Sequence, residues 1–272
     1  MSIAELEGKL LEVVAEFSGR VGYSVTNITT GENVSHRAAE DFPTASTVKL
    51  PVLTAFHAFV EGGGAAWSDS VRVDREDVPG GSGILSELSL PRDICYSDAA
   101  WLMICLSDNL ATNVLLQAMT LETTNALIAE HMGADIRVNK LAGFIPNAPV
   151  RSMGTATPAA MGRYLEDLVA DRLPGSQQTL AVARGQVYTN TIPRFLPTNS
   201  YASGGLSIAN KTGSLPGICA DMAVVTGKSS TITMAFMTSD SLDLGDSFAN
   251  EGQVCIAKLA RIVYDAWGDE AA

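Results

Sequence analysis

The stretch Ser46-Thr47-Val48-Lys49 says more about fold and chemistry than any other part of this 272-residue chain. A serine and a lysine three positions apart at the start of a helix share one face, so a proton can pass between their side chains. A hydroxyl group with its own base nearby is the arrangement that nucleophilic catalysis requires. The spacing therefore predicts that Ser46 is a nucleophile and that Lys49 is the base that activates it.

Two further short motifs follow this stretch in the chain. Ser107-Asp108-Asn109 lies near the middle and Lys211-Thr212-Gly213 about one hundred residues later, so S-x-x-K, S-D-N and K-T-G occur in that order. The accompanying stretches are Phe42-Pro43, Leu102-Met103, Leu110 to Asn113, Thr157-Pro158 and Asp221. On these residues the chain resembles the class A serine β-lactamases and the related penicillin-binding proteins. The resemblance covers nearly the whole chain.

The resemblance implies an α+β fold of the β-lactamase and transpeptidase type, with an antiparallel sheet lobe formed by both chain ends and an inserted all-helical lobe. Alternating apolar residues predict strands at Val21 to Ile28, Val34 to Arg37, Ser207 to Lys211, Ala220 to Thr226 and Thr231 to Thr238. Helical spacing predicts helices within Met1 to Gly19 and at Thr47 to Val60, Tyr96 to Leu106, Asn109 to Met119, Glu122 to His131, Thr157 to Ala170 and Gly252 to Trp267. We expect one catalytic unit over residues 1–272, with an α/β lobe of about 1–45 and 205–272 and a helical lobe of about 46–204.

The S-D-N motif has roles that the resemblance implies. Ser107 passes a proton to the leaving-group nitrogen, and Asn109 holds Lys49 and the amide side chain of the substrate. Asp108 is expected to be structural and to fix the loop. By itself, a serine before a helix is typical of an N-cap, so the catalytic role of Ser107 is inferred only because the other two motifs are present.

The K-T-G motif is expected to form one wall of the cleft. By the resemblance, Lys211 and Thr212 bind a substrate carboxylate, and Gly213 permits close approach of the backbone. The N–H of Ser214 joins the N–H of Ser46 in an oxyanion hole. The charge of Lys211 can also lower the pKa of the base, which must be neutral to accept a proton.

Two departures from the resemblance bear on the reaction. Class A enzymes carry a loop glutamate that activates the deacylating water, but Arg137 to Thr157 contains no acidic residue, and its middle is the apolar run 141–146. Glu166 is no substitute, because it lies two turns into the next helix. No arginine lies between Arg194 and Arg261, so a guanidinium opposite the K-T-G strand is also missing.

Three functions fit these residues. The favoured one is a serine hydrolase that forms an acyl-enzyme on amide or ester substrates, close to class A β-lactamases but with impaired or altered deacylation. The second is an acyltransferase, or a peptide or amide hydrolase of a biosynthetic pathway, in which an amine or alcohol replaces water. The third is a non-catalytic binding module. The complete motif set disfavours it, because a site without catalytic function would not need every charged residue of the three motifs.

The composition excludes several partner classes. A formal net charge of −12 and a pI near 4.6 argue against nucleic acid and against anionic membranes. By the resemblance, the expected partner is a small-molecule amide, ester or β-lactam. No metal or cofactor is expected, because three histidines and four cysteines without C-x-x-C spacing suggest no metal site. The N-terminal stretch lacks the features of a signal peptide, which predicts a cytoplasmic location. The oligomeric state is left open.

Overall fold

A computed structural model describes residues 1–144, 151–198 and 205–268. Its helices are α1 (Ile3–Glu16), α2 (Lys49–Glu61), α3 (Tyr96–Cys105), α4 (Asn109–Met119), α5 (Leu121–Met132), α6 (Pro158–Val169), α7 (Ser176–Ala183) and α8 (Glu251–Trp267). Its strands are β1 (Arg20–Asn27), β2 (Asn33–His36), β3 (Phe42–Pro43), β4 (Ser70–Val73), β5 (Arg92–Cys95), β6 (Ile136–Val138), β7 (Gly154–Ala156), β8 (Ser207–Leu215), β9 (Ile218–Thr226) and β10 (Thr231–Ser239).

The main sheet joins the two ends of the chain. Its strand order is β2-β1-β10-β9-β8, and its neighbouring strands are antiparallel. Successive side chains of a strand point to opposite faces. Phe236 on β10 packs in one apolar cluster with Leu10 of α1 and Ile256 of α8, whereas Met237 packs in another with Met161 of α6. Helices thus cover both faces, which explains why β9 and β10 are buried along nearly their whole length.

The inserted lobe is built around α2. Every residue from Lys49 to His57 on this helix is buried, because the other helices of the lobe surround it. A mainly apolar helix enclosed on all sides has no solvent face to mark its periodicity. The helix that begins next to Ser46 is therefore the central support of the lobe.

The fold class predicted from the sequence is confirmed, with one correction of detail. The inserted lobe also contains the short strands β4 to β7: β4 pairs with β5, and β6 and β7 form a three-stranded sheet with β3 in the order β3-β7-β6. Strands β3 to β7, of two to four residues, show too little alternation to be recognised in this sequence. The β3-β7-β6 sheet joins the inserted lobe to the chain just before Ser46.

The four cysteines form no disulfide bond. Cys95, Cys105, Cys219 and Cys255 are all free, the first two half-buried and the last two buried. In the described parts of the chain, no group of three or more acidic, histidine or cysteine side chains could hold a metal ion. No helix among those residues combines the length and the apolar character needed to cross a membrane. The cytoplasmic location stays a prediction.

Candidate active site

Ser46 lies in a short 3-10 turn, Ala45–Val48, that runs directly into α2. Among the hydrogen bonds that hold the turn, Thr47 Oγ1 donates to Thr44 O at 2.8 Å, and Ala45 N donates to Ser152 Oγ at 2.9 Å. The Ser46 side chain is half-buried and faces a cleft. A fixed turn at a helix start holds the hydroxyl group in one place, as a nucleophile requires.

The cleft around Ser46 consists of two adjoining cavities. The Phe144 cavity has a volume of about 310 Å³ and is also lined by Lys140, Phe144, Arg151 and Met153. The Asn190 cavity has a volume of about 350 Å³ and is also lined by Ser107, Tyr188, Asn190, Thr212 and Gln253. Both cavities share Ser46, Ser82, Ser214 and Asp246. Ser46 therefore lies at their junction, with room for a substrate group on each side.

Lys49 is completely buried beneath this junction, with 0% of its surface exposed. Its Nζ donates to Ser107 O at 2.7 Å, to Ser107 Oγ at 3.2 Å and to Asn109 Oδ1 at 2.9 Å. Burial, and then the charge of Lys211, hold the pKa of Lys49 well below its ordinary value, against an opposing effect of Asp108. A lowered pKa favours the neutral amine, which is the form that can accept a proton.

The S-D-N loop is held from below by Asp108. Its Oδ2 accepts hydrogen bonds from Ile84 N at 2.7 Å and Leu85 N at 2.8 Å, while its Oδ1 accepts one from Ala111 N at 2.9 Å. The N-cap of α4 is therefore Asp108 and not Ser107, which has a φ of +54°. Asp and Ser are equally good N-caps, so the sequence could not decide between them. The capping by Asp108 frees the Ser107 hydroxyl for the cleft.

The glycine-rich segment 79–83 closes over Asn109. Asn109 Nδ2 donates to Gly80 O at 2.9 Å, and Asn109 N donates to Ser82 O. A Cβ atom on Gly81, whose φ is +87°, would lie 2.5 Å from Asn109 Nδ2. From the sequence this segment is simply a loop, whereas in the structure it is a wall of the site. Only a residue without a side chain adopts this backbone so close to Asn109.

The K-T-G motif lies on β8, an edge strand of the main sheet. Thr212, Gly213 and Ser214 line the cleft, whereas Lys211 is fully buried and donates from Nζ to Thr212 O at 2.7 Å. Burial lowers the pKa of Lys211 to about 7, although the charge of Asp221 opposes the shift. Lys211 therefore lies below the surface of the cleft and not on its lining.

Asp221 supports the β8 strand from its neighbour β9. Its Oδ2 accepts hydrogen bonds from Thr191 Oγ1 at 2.6 Å and Ile192 N at 3.1 Å, and Asn210 Nδ2 donates to the same oxygen at 3.2 Å. Burial raises the pKa of Asp221 to about 6, against these hydrogen bonds. Asp221 therefore ties the segment that carries Asn190 to the strand that carries Lys211.

The backbone of Gly213 packs directly against the nucleophile turn. A Cβ atom on Gly213 would lie 2.7 Å from Ser46 N and 2.8 Å from Thr44 O. We therefore expect Gly213→Ala to push β8 and the turn apart, and to lower both the thermal unfolding temperature and the rate of covalent labelling at Ser46. Gly8→Ala is the control, because nothing lies within 4 Å of that position in α1 and alanine favours a helix. Unchanged labelling of Gly213→Ala would contradict the close packing.

The carboxylate of Glu166 lies against the main sheet. Glu166 Oε1 accepts a hydrogen bond from Thr26 Oγ1 of β1 at 2.6 Å, so this carboxylate is committed to the sheet. The part of the stretch 137–157 that lines the Phe144 cavity contributes Lys140, Phe144, Arg151 and Met153. The last two residues of the apolar run 141–146 lie outside the described residues.

The structure brings the predicted site residues together in one place. Ser46, Ser107, Asn109, Thr212, Gly213 and Ser214 line the cleft, and Lys49 and Lys211 lie beneath it. Sequence reasoning missed Ser82, Lys140, Tyr188, Asn190, Asp246 and Gln253. These residues belong to no motif of the sequence, and their side chains meet only through the fold.

Comparisons with known proteins agree with this geometry. A family model described as the beta-lactamase enzyme family matches residues 5–267. The chain is similar to a crystal structure of a β-lactamase from Sphaerobacter thermophilus, with a TM-score of 0.85, 27% identity and coverage of 98% of each chain. It is also similar to an ancestral class A β-lactamase, with a TM-score of 0.82, 25% identity and coverage of 96% of this chain and 99% of that chain.

A more distant similarity shows the fold alone. The chain resembles a mutant of PBP-A in an acyl-enzyme complex with penicillin G, with a TM-score of 0.83, 22% identity and coverage of 97% of this chain and 96% of that chain. No curated protein sequence matches the chain.

Proposed function

The chain belongs to the beta-lactamase enzyme family, and from this premise we propose that it forms an acyl-enzyme at Ser46 and releases the acyl group slowly. Family and fold support a serine hydrolase of the β-lactamase type. The observation that carries the proposal is the buried Lys49, whose Nζ bonds to Ser107 Oγ and Asn109 Oδ1. The substrates are small molecules with a β-lactam, amide or ester bond.

Acylation needs the neutral form of Lys49. Lys49 takes the proton of the Ser46 hydroxyl while Oγ forms a bond to the carbonyl carbon of the substrate. The bond from that carbon to the leaving nitrogen or oxygen then breaks. Ser107 donates its hydroxyl proton to the leaving atom, and Lys49 gives the proton taken from Ser46 to Ser107. The 3.2 Å contact between Lys49 Nζ and Ser107 Oγ provides the route for this replacement.

The developing oxyanion is stabilised by backbone donors. We assign this role to the N–H groups of Ser46 and Ser214, which line the same cleft. The close packing of Gly213 against Ser46 N keeps the two backbones together. Donors held in place before the reaction lower the barrier because they need not reorganise as charge develops.

Deacylation lacks the usual water-activating group. Asp246 is the one carboxylate among the described residues that line the two cavities. The other charged side chains that line the Phe144 cavity are Arg151 and Lys140, whose Nζ donates to Gly143 O at 2.8 Å. Among the described residues, none supplies the glutamate base that activates water in class A enzymes. Hydrolysis of a bulky acyl group is therefore slow.

The expected result of mixing the protein with a chromogenic cephalosporin is a burst equal to the enzyme concentration, followed by turnover at least about 10²-fold slower, the scale of general-base catalysis. Intact mass measurement should show the acyl adduct persisting. Hydroxylamine, a strong nucleophile that needs no base, should shorten the lifetime of the adduct. Burst-free turnover above roughly 10² s⁻¹ would show that another group activates water.

The pH dependence of acylation tests the charge of Lys211. Acylation rises with pH as Lys49 loses its proton, and the nearby cation favours that loss. Lys211→Met removes this charge, so it should raise the pKa of Lys49 and shift the rising part of the plot of acylation rate against pH to higher pH. A neutral fluorophosphonate, which has no carboxylate to bind, is used for the measurement. Lys140→Met should leave the midpoint in place, and a midpoint that stays or falls in Lys211→Met would refute the assignment.

A further inference from the structure

A separate cavity lies in the helical lobe, between α2, α3 and α7, and has a volume of about 290 Å³. Its lining consists of apolar and neutral polar side chains: Leu53, His57, Trp67, Ser97, Ala100, Trp101, Gln178, Ala181 and Val182. None of these residues lines the Phe144 cavity or the Asn190 cavity. This space, called here the Trp101 cavity, is therefore distinct from the cleft around Ser46.

Aromatic rings form much of the wall of the Trp101 cavity. The Trp67 ring packs against the His57 imidazole, with ring centroids 4.7 Å apart, and against the Phe56 ring at 5.0 Å. Ser97 N donates to Trp67 O at 3.1 Å, which ties the Trp67 segment to the start of α3. Trp101 is 47% exposed, so it lies where the cavity meets solvent. Rings held in this way offer flat surfaces on which another aromatic ring can pack.

One buried polar side chain of this cavity has no partner. His57, on α2, is only 9% exposed, and no hydrogen bond joins its imidazole to another described residue. Gly175, whose φ is +61°, packs its backbone against this ring so closely that a Cβ atom there would overlap it. Buried polar groups are nearly always hydrogen-bonded, because an unsatisfied one costs free energy. A ligand in the cavity can supply the partner that His57 lacks.

The Trp101 cavity carries no charge. Burial lowers the pKa of His57 to about 4, so its imidazole is neutral near pH 7. No aspartate, glutamate, lysine or arginine is among the described residues that line the cavity, so nothing there offsets the desolvation of an ionic ligand. A neutral imidazole has one nitrogen that donates and one that accepts. A hydroxyl group suits it whichever nitrogen faces the cavity, because a hydroxyl group does both.

We propose that the Trp101 cavity binds a neutral aromatic alcohol, with its ring between Trp67 and Trp101 and its hydroxyl group bonded to His57. A concave, mainly apolar space with a few polar groups is typical of small-molecule sites. This binding site goes beyond the proposed acyl-enzyme function and does not depend on it.

The test uses three probes with the same two-ring skeleton. These are 5-indanol, which has a neutral hydroxyl group, indane, which has no polar group, and indane-5-carboxylate, which is anionic. NMR follows binding through the indole N–H signals of the tryptophans, which single Trp→Phe variants assign.

We expect 5-indanol to shift the signals of Trp67 and Trp101, with a Kd on the order of 10⁻⁴ M for a ligand of this size. The signal of Trp267 should stay in place, because this residue packs in the other apolar cluster, with α8. Indane-5-carboxylate should bind at least about ten-fold more weakly than 5-indanol, because its charge loses water without gaining a partner.

Variants assign the binding to its place. His57→Phe keeps a ring but removes both nitrogens, so the ratio of 5-indanol affinity to indane affinity should fall about five-fold, the effect of one hydrogen bond. His131→Phe, on α5, is the control and should leave this ratio unchanged. Ala181→Trp fills the cavity from an exposed position on α7 and should prevent the binding of 5-indanol. Ala4→Trp, at an exposed position on α1, should not affect it.

Three results would overturn the inference. The first is the absence of shifts at Trp67 and Trp101 at the solubility limit of 5-indanol. The second is an affinity ratio that His57→Phe leaves unchanged. The third is binding that persists in Ala181→Trp and blocks fluorophosphonate labelling of Ser46, because the ligand would then occupy the cleft. None of the binding measurements needs a reactive Ser46, so their failure leaves the acyl-enzyme function standing.

Discussion

Replacing Ser46 with alanine is expected to abolish covalent labelling by penicillins, cephalosporins and fluorophosphonates. The hydroxyl group of Ser46 lies at the junction of the two cavities, directly before the helix that carries the buried Lys49. Without it, no Oγ–carbon bond can form, and intact mass measurement should find only the unmodified chain. The side chain is half-buried, so the thermal unfolding temperature should stay close to that of the parent protein.

The matched control is Ser82→Ala. Ser82 lines the same two cavities, but its Oγ donates to the backbone oxygen of Ser107 at 2.8 Å and not to a lysine base. This variant should still be labelled, at a lower rate. Persistent labelling of Ser46→Ala, with the adduct mapped by peptide mass to another residue, would assign the nucleophile elsewhere.

Lys49→Ala is expected to lower the acylation rate by about 10²-fold or more, the scale of general-base catalysis. The variant removes the proposed acceptor of the Ser46 proton and its hydrogen bond to Ser107 Oγ. The truncation leaves a space the size of the lost side chain in a fully buried position. Small amines such as methylamine should enter this space and restore part of the rate.

Rescue by the amine distinguishes a base from a structural support. Its efficiency should increase with pH as the added amine becomes neutral. Lys140→Ala, in the same cleft, should change the rate by less than about three-fold and should gain nothing from methylamine. A Lys49→Ala variant that acylates at the parent rate would leave Ser46 without its proposed base.

Much of the fold follows from the sequence because its longest elements bury one face. The predicted strands at Val21 to Ile28 and Thr231 to Thr238 match β1 and β10 to within one residue at each end. The predicted helix at Asn109 to Met119 has the observed bounds. The short strands β3 to β7 and the helix α7 were not predicted, because their burial is decided by tertiary neighbours.

The candidate site was predictable where a motif gathers several groups in a few residues. Ser46 and Lys49 are joined by one helix start, so their proximity needs only local structure. Asp246 and Asn190 reach the cleft on separate loops that flank the sheet lobe, and no local spacing connects them to Ser46. These two residues approach Ser46 only because the fold brings distant segments of the chain together.

The pairing of β1 with β10 has a consequence for folding during synthesis of the chain. Arg20 of β1 pairs with Ser239 of β10, so the backbone hydrogen bonds along this edge of β1 can form only after β10 has been synthesised. Because the N-terminal part of a chain is synthesised first, the apolar β1 emerges from the ribosome with an unpaired edge that can aggregate. Truncation before β10 should yield insoluble chains without activity, and the yield of active enzyme should depend on how well β1 is shielded during synthesis.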